Sequence, residues 1–225
     1  MIKKLSRLLW RIFLWFLAVS VFSVIVFRFV PVPFTPLMVF RAIENVKSDS
    51  DLEFSHDWVS IENISPNLQK AVIASEDARF LSHNGFDFEA MRKAMKNNAK
   101  GKRIKGGSTI SQQTAKNVFL WQGRSYIRKG LEAYFTVLIE VFWGKQRIME
   151  VYLNSIEMGR NVYGAEAAAH HWFQRSAATL TKDQAAAIAS ILPNPRKFKA
   201  KNSSAYIEKR KRGIQRRMRD VKLQY

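Results

Sequence analysis

The stretch Ser65–Gly85, SPNLQKAVIASEDARFLSHNG, decides how the chain is read. Ser65 followed by Pro66 is a helix start. A Ser side chain accepts a bond from a first-turn amide, and Pro at the first helical position gives up only a donor that has no partner there. Leu68, Val72, Glu76 and Phe80 then recur every four residues and predict one stripe of that helix. Glu76 therefore stands on the apolar stripe, between Val72 and Phe80. A carboxylate there is expected to be partly desolvated, which raises its pKa and suits it to proton transfer. Position alone leaves a plainer alternative open, a surface Glu paired with Arg79 three residues on.

Around this stretch, the 225 residues carry 47% apolar and 24% charged side chains, which excludes disorder throughout. The absence of Cys excludes a disulfide scaffold, a thiolate metal site and a Cys nucleophile. Thirty-seven Lys and Arg against eighteen Asp and Glu give a net charge of +19. Such an excess points to an acidic partner: nucleic acid, anionic lipid or a phosphorylated substrate. His56, His83, His170 and His171 lack zinc-site spacing, and His83 reads as a structural hydrogen-bonding residue. Neither a nucleophile elbow nor a dinucleotide fingerprint is present.

Upstream, IFLWFLAVSVFSVIVF from Ile12 to Phe27 holds sixteen residues without a charge. Leu8 to Val30 makes a helix of about 34 Å, enough to span a bilayer. Lys3, Lys4, Arg7 and Arg11 precede the uncharged run, which places the N-terminus in the cytoplasm and the remainder outside. Pro31, Pro33 and Pro36 end that helix and form a short extended linker, after which Thr35 caps a new helix. Leu37, Met38, Val39 and Phe40 suit either the membrane interface or packing on the domain.

Downstream, Asn97 to Gly107 (NNAKGKRIKGG) is a cationic, Gly-rich loop without an acid. It leads into Ser108-Thr109, which cap a helix carrying Gln112, Gln113 and Lys116. Such a loop suits a phosphate, although many like it are simply solvated. Arg124, Arg128, Glu132, Thr136 and Glu140 then fall four apart, with Lys129 beside them. This is either a cationic stripe leading to a carboxylate or an ordinary ladder of helical ion pairs. Thr181 and Gln184 form a capping box ahead of the small-residue helix Ala185–Leu192. The tail from Arg196 to Lys222 holds twelve Lys and Arg against Glu208 and Asp220. With Ile207, Ile214, Met218 and Val221 on one edge, it has the pattern of a basic amphipathic helix.

Taken together, these segments resemble a known family. Glu76-Asp77-Ala78-Arg79-Phe80-Leu81-Ser82-His83-Asn84-Gly85 is similar to the EDxxFxxHxG motif of the peptidoglycan glycosyltransferases. Gly106–Asn117 resembles their GGSTxxQQxxKN motif, Arg128–Glu132 their RKxxE, and Lys145–Asn154 their KxxxxExYLN segment. Gly164–Ala169 is similar to the fifth, GxxxAA-type segment. Ser111 stands where many members have Thr, and Gly159–Tyr163 departs further from the pattern. With one anchor and no penicillin-binding domain, the chain resembles the monofunctional biosynthetic peptidoglycan transglycosylases.

The resemblance implies a mostly α, lysozyme-like domain with a smaller membrane-proximal lobe, preceded by one transmembrane helix. Residues 1–30 would form the cytoplasmic tip and anchor, 31–54 the linker and membrane-proximal segment, 55–198 the catalytic domain and 199–225 a basic tail. It implies lipid II and the growing glycan as substrates, joined β-1,4 with inversion and release of undecaprenyl diphosphate. Glu76 would be the base and Glu132 a second catalytic carboxylate, orienting the cations or holding a divalent Mg or Mn ion. Lys116, Arg124, Arg128 and Lys129 would hold the diphosphate, with Ser108, Gln112 and Gln113 positioning substrate. Asp77, Phe80, His83, Gly85, Glu150 and Asn154 would serve the framework. No organic cofactor and no nucleic acid are implied. The inner membrane and proteins of wall synthesis or division are, with the catalytic domain periplasmic. Two rivals remain: a glycan-cleaving enzyme on the related fold, and a non-enzymatic membrane-anchored binder of anionic lipid or nucleic acid.

Overall fold

A computed structural model describes residues 2–47, 54–99, 107–123 and 125–225. Arg124, Gly106 and most of the basic loop fall outside the described residues. Helix α1 (Ile2–Phe29) has 28 residues and ends just before Pro31. Among the described residues it alone is long and apolar enough to cross a membrane. Its first half exposes Leu9, Trp10, Phe13 and Trp15. The second half is fastened to the domain through α6 (Tyr126–Phe142) and α7 (Lys145–Ser155). Ser20 Oγ lies 2.7 Å from the Tyr134 hydroxyl, and Trp143 Nε1 donates to the Val24 carbonyl at 2.7 Å. Arg147 donates to the carbonyls of Phe27 and Val30 at 2.6–3.0 Å. It thereby satisfies carbonyls that a helix end leaves orphaned and sets a cation at the negative end of the dipole.

Helix α2 (Pro36–Lys47) starts as its sequence predicts, with Thr35 Oγ1 accepting from the Met38 amide at 3.3 Å. Its first apolar residues divide by face: Leu37 and Met38 are buried with Tyr163, while Val39 and Phe40 are exposed. Val32 and Thr35 are also buried, so the proline segment lies against the domain.

In α3 (Pro66–Glu76), Ser65 Oγ accepts from the Asn67 amide at 3.3 Å. The helix ends at Glu76, so Phe80 is not on its stripe; the following turn, not the helix, buries Phe80. Asp77 breaks the register because its carboxylate turns away to accept from the Ile110 amide and to meet His83 Nε2, each at 3.0 Å.

Helix α9 (Lys182–Ile191) opens on the Thr181–Gln184 capping box and packs against α3 and α10 (Ala205–Arg217). Ala185, Ala186 and Ala189 are fully buried in α9, and side chains this small let the neighbouring helices come close. The apolar edge of α10, Ile207, Ile214 and Met218, belongs to the same core. It is therefore not available to a membrane, as an amphipathic tail would require. The other group is α5 (Ile110–Phe119) on α6 and α7, with Phe119 stacked on Phe135 at 4.5 Å. Helix α4 (Phe88–Ala99) follows the Gly85 turn. A small sheet of β1 (Ser55–His56), β2 (Glu157–Gly159) and β3 (Val162–Tyr163) runs in the order β1-β3-β2, with β1 parallel and β2 antiparallel to β3. Strands of two or three residues are too short to show an alternating pattern in sequence.

Helix α8 (Ala165–Phe173) starts after Gly164, whose φ is +84°. A Cβ there would sit 2.9 Å from the Asn154 carbonyl oxygen. Gly164→Ala is expected to destabilise the fold by about 1–3 kcal/mol. Thermal melting checks this, and an unchanged midpoint would show that the backbone relaxes there at no cost.

Candidate active site

Glu76 closes α3 with a side chain only 16% exposed. Its Oε1 accepts from Ser75 Oγ at 2.9 Å and lies 3.6 Å from Arg210 Nη2. Gln113 Nε2 donates to Oε2 at 3.5 Å, and the Tyr152 hydroxyl donates to Gln113 Oε1 at 3.2 Å. Burial, reinforced by the charges of Glu76 and Asp77, pushes the Tyr152 phenol well above its ordinary range, so it remains a donor. Arg79 turns instead to Asp87 and Glu89, so the surface pair of Glu76 with Arg79 does not form. Glu76, Asp77, Arg79, Asp87, Glu89 and Ser108 share the lining of an open cleft of about 240 Å³.

The two adjacent glutamines part company. Gln112 is buried in the capping box of α5, where its Oε1 accepts from the Thr109 amide at 3.0 Å. Gln113 faces Glu76. One turn beyond it, on the same face of α5, stands Lys116, because residues three apart are neighbours on a helix. Lys116 meets the charges of α6: Glu132 favours its ammonium form, while Arg128, Lys129 and Arg41 of α2 oppose it. Burial is the largest influence and pulls the Lys116 ammonium below the ordinary lysine range. Glu132 itself is 3% exposed; its Oε2 accepts from Arg128 Nη1 at 2.7 Å, and Lys129 Nζ binds Oε1. Glu140 leaves the ladder for Ser111 Oγ and for Lys145, 2.7 Å away.

Arg128 and Lys129 thus engage both oxygens of Glu132. Among the described residues no group of three or more His, Asp or Glu is placed to hold a metal ion. Glu132 brings one carboxylate and two competing cations, a donor set that does not fit a protein-held divalent ion.

The remaining motif residues tie the walls together. Asp77 joins His83 to the start of α5. Phe80 is fully buried under Lys145, whose Nζ sits 4.7 Å from the ring centroid. Gly85 has φ +85°, and a Cβ there would come within 2.8 Å of Thr136 Cγ2, so this turn can lie flat on α6. Its carbonyl accepts from Thr109 Oγ1 at 2.6 Å. Glu150 accepts from the Ile61 amide at 3.1 Å, and Asn154 exchanges bonds with the Val59 amide and carbonyl at 3.0 and 2.9 Å.

Ser75, Tyr152 and Arg210 were not singled out from the sequence. Arg210 reaches the site from a distant segment, Tyr152 was marked only by its place in the KxxxxExYLN segment, and Ser75, next to Glu76 in the chain, stands in no pattern that shows its bond to the carboxylate. A wider hollow of about 790 Å³ on α9 and α10 is lined by Lys182, Lys209, Arg212, Gln215, Arg216 and Arg219. It offers cations without a carboxylate and therefore no base.

A part-buried carboxylate and a cationic face on one helical spine are the parts of a transferase that handles an anionic leaving group. The transglycosylase family model matches residues 43–219. The chain is 57% identical over 212 residues, 94% of its length and 90% of the relative's, to a biosynthetic peptidoglycan transglycosylase of Caulobacter vibrioides. It is 55% identical over 217 residues (96% and 88%) to one of Bacteroides thetaiotaomicron. With one of Pseudomonas syringae it shares 47% over 221 residues (98% and 94%). The chain belongs to this transglycosylase family, and its helical domain is of the lysozyme-like kind.

Proposed function

We propose that the chain polymerises lipid II into β-1,4-linked glycan strands. The observation that carries this reading is the face of α5, where Gln113 bonds the Glu76 carboxylate and Lys116 meets the Arg128–Glu132–Lys129 group. The acceptor's sugar 4-hydroxyl attacks the anomeric carbon of the growing chain as the bond to the lipid diphosphate breaks on the opposite face. Glu76 takes the hydroxyl proton, the electron pair of the broken bond leaves with the diphosphate, and the centre inverts. Charge grows on the departing phosphate oxygens, so cations already in place stabilise the transition state more than the ground state. Lys116, Arg128 and Lys129 are those cations, and Glu132 orients two of them.

The anchor fits the same reading. Donor and acceptor both carry lipid tails, and α1 is bonded to the catalytic domain near its membrane exit rather than tethered by a free linker. The basic residues at the start of α1, Lys3, Lys4, Arg7 and Arg11, support an N-terminus in the cytoplasm and a domain on the outer face of the inner membrane. A reporter fused to the C-terminus is expected to be active only outside the cytoplasm; cytoplasmic activity would reverse the topology and remove access to the substrate.

Lys116 supplies a pH signature. Its depressed pKa means that the ammonium deprotonates, and the leaving-group site weakens, at a lower pH than an ordinary lysine would show. Turnover is expected to fall on the alkaline side, and Lys116→Arg, protonated throughout, moves that limb upward even with a lower maximum. An alkaline limb unmoved in Lys116→Arg assigns it to another group.

The direct test is incubation of the purified chain with labelled lipid II. Polymer and free undecaprenyl diphosphate are expected. Digestion of preformed glycan without polymer would assign the chain to the cleaving enzymes, and binding to anionic vesicles without either would leave a membrane binder.

A further inference from the structure

We propose that Arg210 of the C-terminal helix, acting through Ser75, is a positioning residue of the active site: the pair holds Oε1 of Glu76 and leaves Oε2 as the oxygen that takes the acceptor's proton. This rests on the transglycosylase reading above and adds to it which carboxylate oxygen reacts and what fixes it.

Most cations of the tail face outward, as the lining of the open hollow on α10 shows. Arg210 is partly buried, and Arg217, although exposed, turns its Nε back to the domain. Ile207, Arg210, Ile214 and Arg217 follow one another at helical spacings of three, four and three, so both arginines share the edge whose isoleucines are buried in the core. Both reach the last turn of α3. Arg217 Nε donates to the Ala74 carbonyl at 2.9 Å, and Arg210 Nη2 donates to Ser75 Oγ at 3.0 Å. They meet the negative end of that helix, where cations are stabilised. The Arg210 Nε is buried and has no hydrogen-bond partner among the described residues. Its known polar contacts therefore run to Ser75 and Glu76.

Ser75 converts this into a relay. Its oxygen accepts from Arg210, and its one proton is shared between Glu76 Oε1 at 2.9 Å and the Ala189 carbonyl at 3.2 Å. A hydroxyl that accepts from a guanidinium is a stronger donor in turn, so the charge on α10 is felt at Oε1. The two carboxylate oxygens are thus unequal. Oε1 has the short bond and the cation, whereas among the described residues Oε2 has the 3.5 Å contact from Gln113 alone. A cation beside a base does not make it more basic. What the pair supplies is orientation: the carboxylate plane is pinned, and the less committed oxygen is the one left to accept a proton.

The test compares purified Arg210→Ala, Ser75→Ala and the double variant in lipid II polymerisation, with Glu76→Gln alongside. Mispositioning a base typically costs up to about 10²-fold, and a loss of kcat between about 10- and 10²-fold is expected for Arg210→Ala with KM for lipid II unchanged. Ser75→Ala is expected to lose less, and the double variant no more than Arg210→Ala alone, because the residues act in series. Guanidinium ion added well below denaturing concentration is expected to restore part of the kcat of Arg210→Ala and none of Glu76→Gln. Should Arg210→Ala not fold, Arg210→Gln and Ser75→Ala carry the same comparison. A folded Arg210 variant with full kcat, a loss confined to KM, or losses that multiply in the double variant would overturn the proposal. Full turnover in Glu76→Gln would instead overturn the reading on which it rests.

Discussion

Glu76→Gln is expected to lower lipid II polymerisation by about 10²–10⁴-fold while leaving lipid II binding in place, the usual contribution of a general base. Gln keeps the size of the side chain and an oxygen that still accepts from Ser75 Oγ, the 2.9 Å bond that orients the native carboxylate. It removes only the ability to take a proton. Glu76 lies at the end of α3, with Asp77 capping the helix, so the substitution touches no interior turn. The melting midpoint is expected to hold, and lipid II bound at equilibrium is expected to match the parent. A variant with nearly full turnover would reduce Glu76 to a helix-terminal residue held by Ser75 and Gln113. Intact binding with abolished turnover separates loss of chemistry from loss of substrate, which a truncation to Ala would confuse.

What could be read from the sequence divides by the range of the interaction that decides it. The start of α3 was legible because Ser65 and Pro66 act on their own first turn. Its end was not, since Asp77 leaves the helix for His83 and for the Ile110 amide, 33 residues away in the chain. The cap of α5 was visible at Thr109, but spacing alone did not show which of two glutamines would be spent on it. The capping box takes Gln112 and frees Gln113 for Glu76. The tail shows the same limit most plainly. Its apolar edge was legible, and a membrane or a protein core serves such an edge equally well. Burying Ile207 and Ile214 contributes about 1.5–3 kcal/mol each, and α3 and α9 provide the surface that does it. Once that edge turns inward, Arg210 reaches Ser75 and Glu76 and Arg217 bonds the Ala74 carbonyl, which brings one tail cation to the active site and a second to the last turn of α3. No local pattern carries that information, because Ser75 and Arg210 are 135 positions apart.

Arg128 is where the two readings of the α6 stripe part. As a rung of a helical ladder it would contribute a few tenths of a kcal/mol, so Arg128→Ala would be nearly silent. The structure already removes that version, because Glu132 is 3% exposed and its partner cannot be traded for water. Removing one member of a buried pair typically costs about 3–5 kcal/mol, less here because Lys129 stays on the other oxygen. Arg128→Ala therefore lowers stability under either reading, and melting alone cannot decide. Turnover does, when measured well below the melting midpoint of each variant. If Arg128 stabilises the departing diphosphate, Arg128→Ala is expected to reduce polymerisation by about 10²–10³-fold, the scale of removing one fixed electrostatic stabiliser. Arg128→Lys sharpens the test: it keeps a cation against Glu132 but loses the planar fork that matches phosphate oxygens, so stability returns before activity does. A purely structural Arg128 predicts the opposite order, with folded Arg128→Ala turning over near the parent rate and Arg128→Lys indistinguishable from it. That outcome would leave Lys116 and Lys129 as the cations that meet the diphosphate and Arg128 as the residue that holds Glu132 in place.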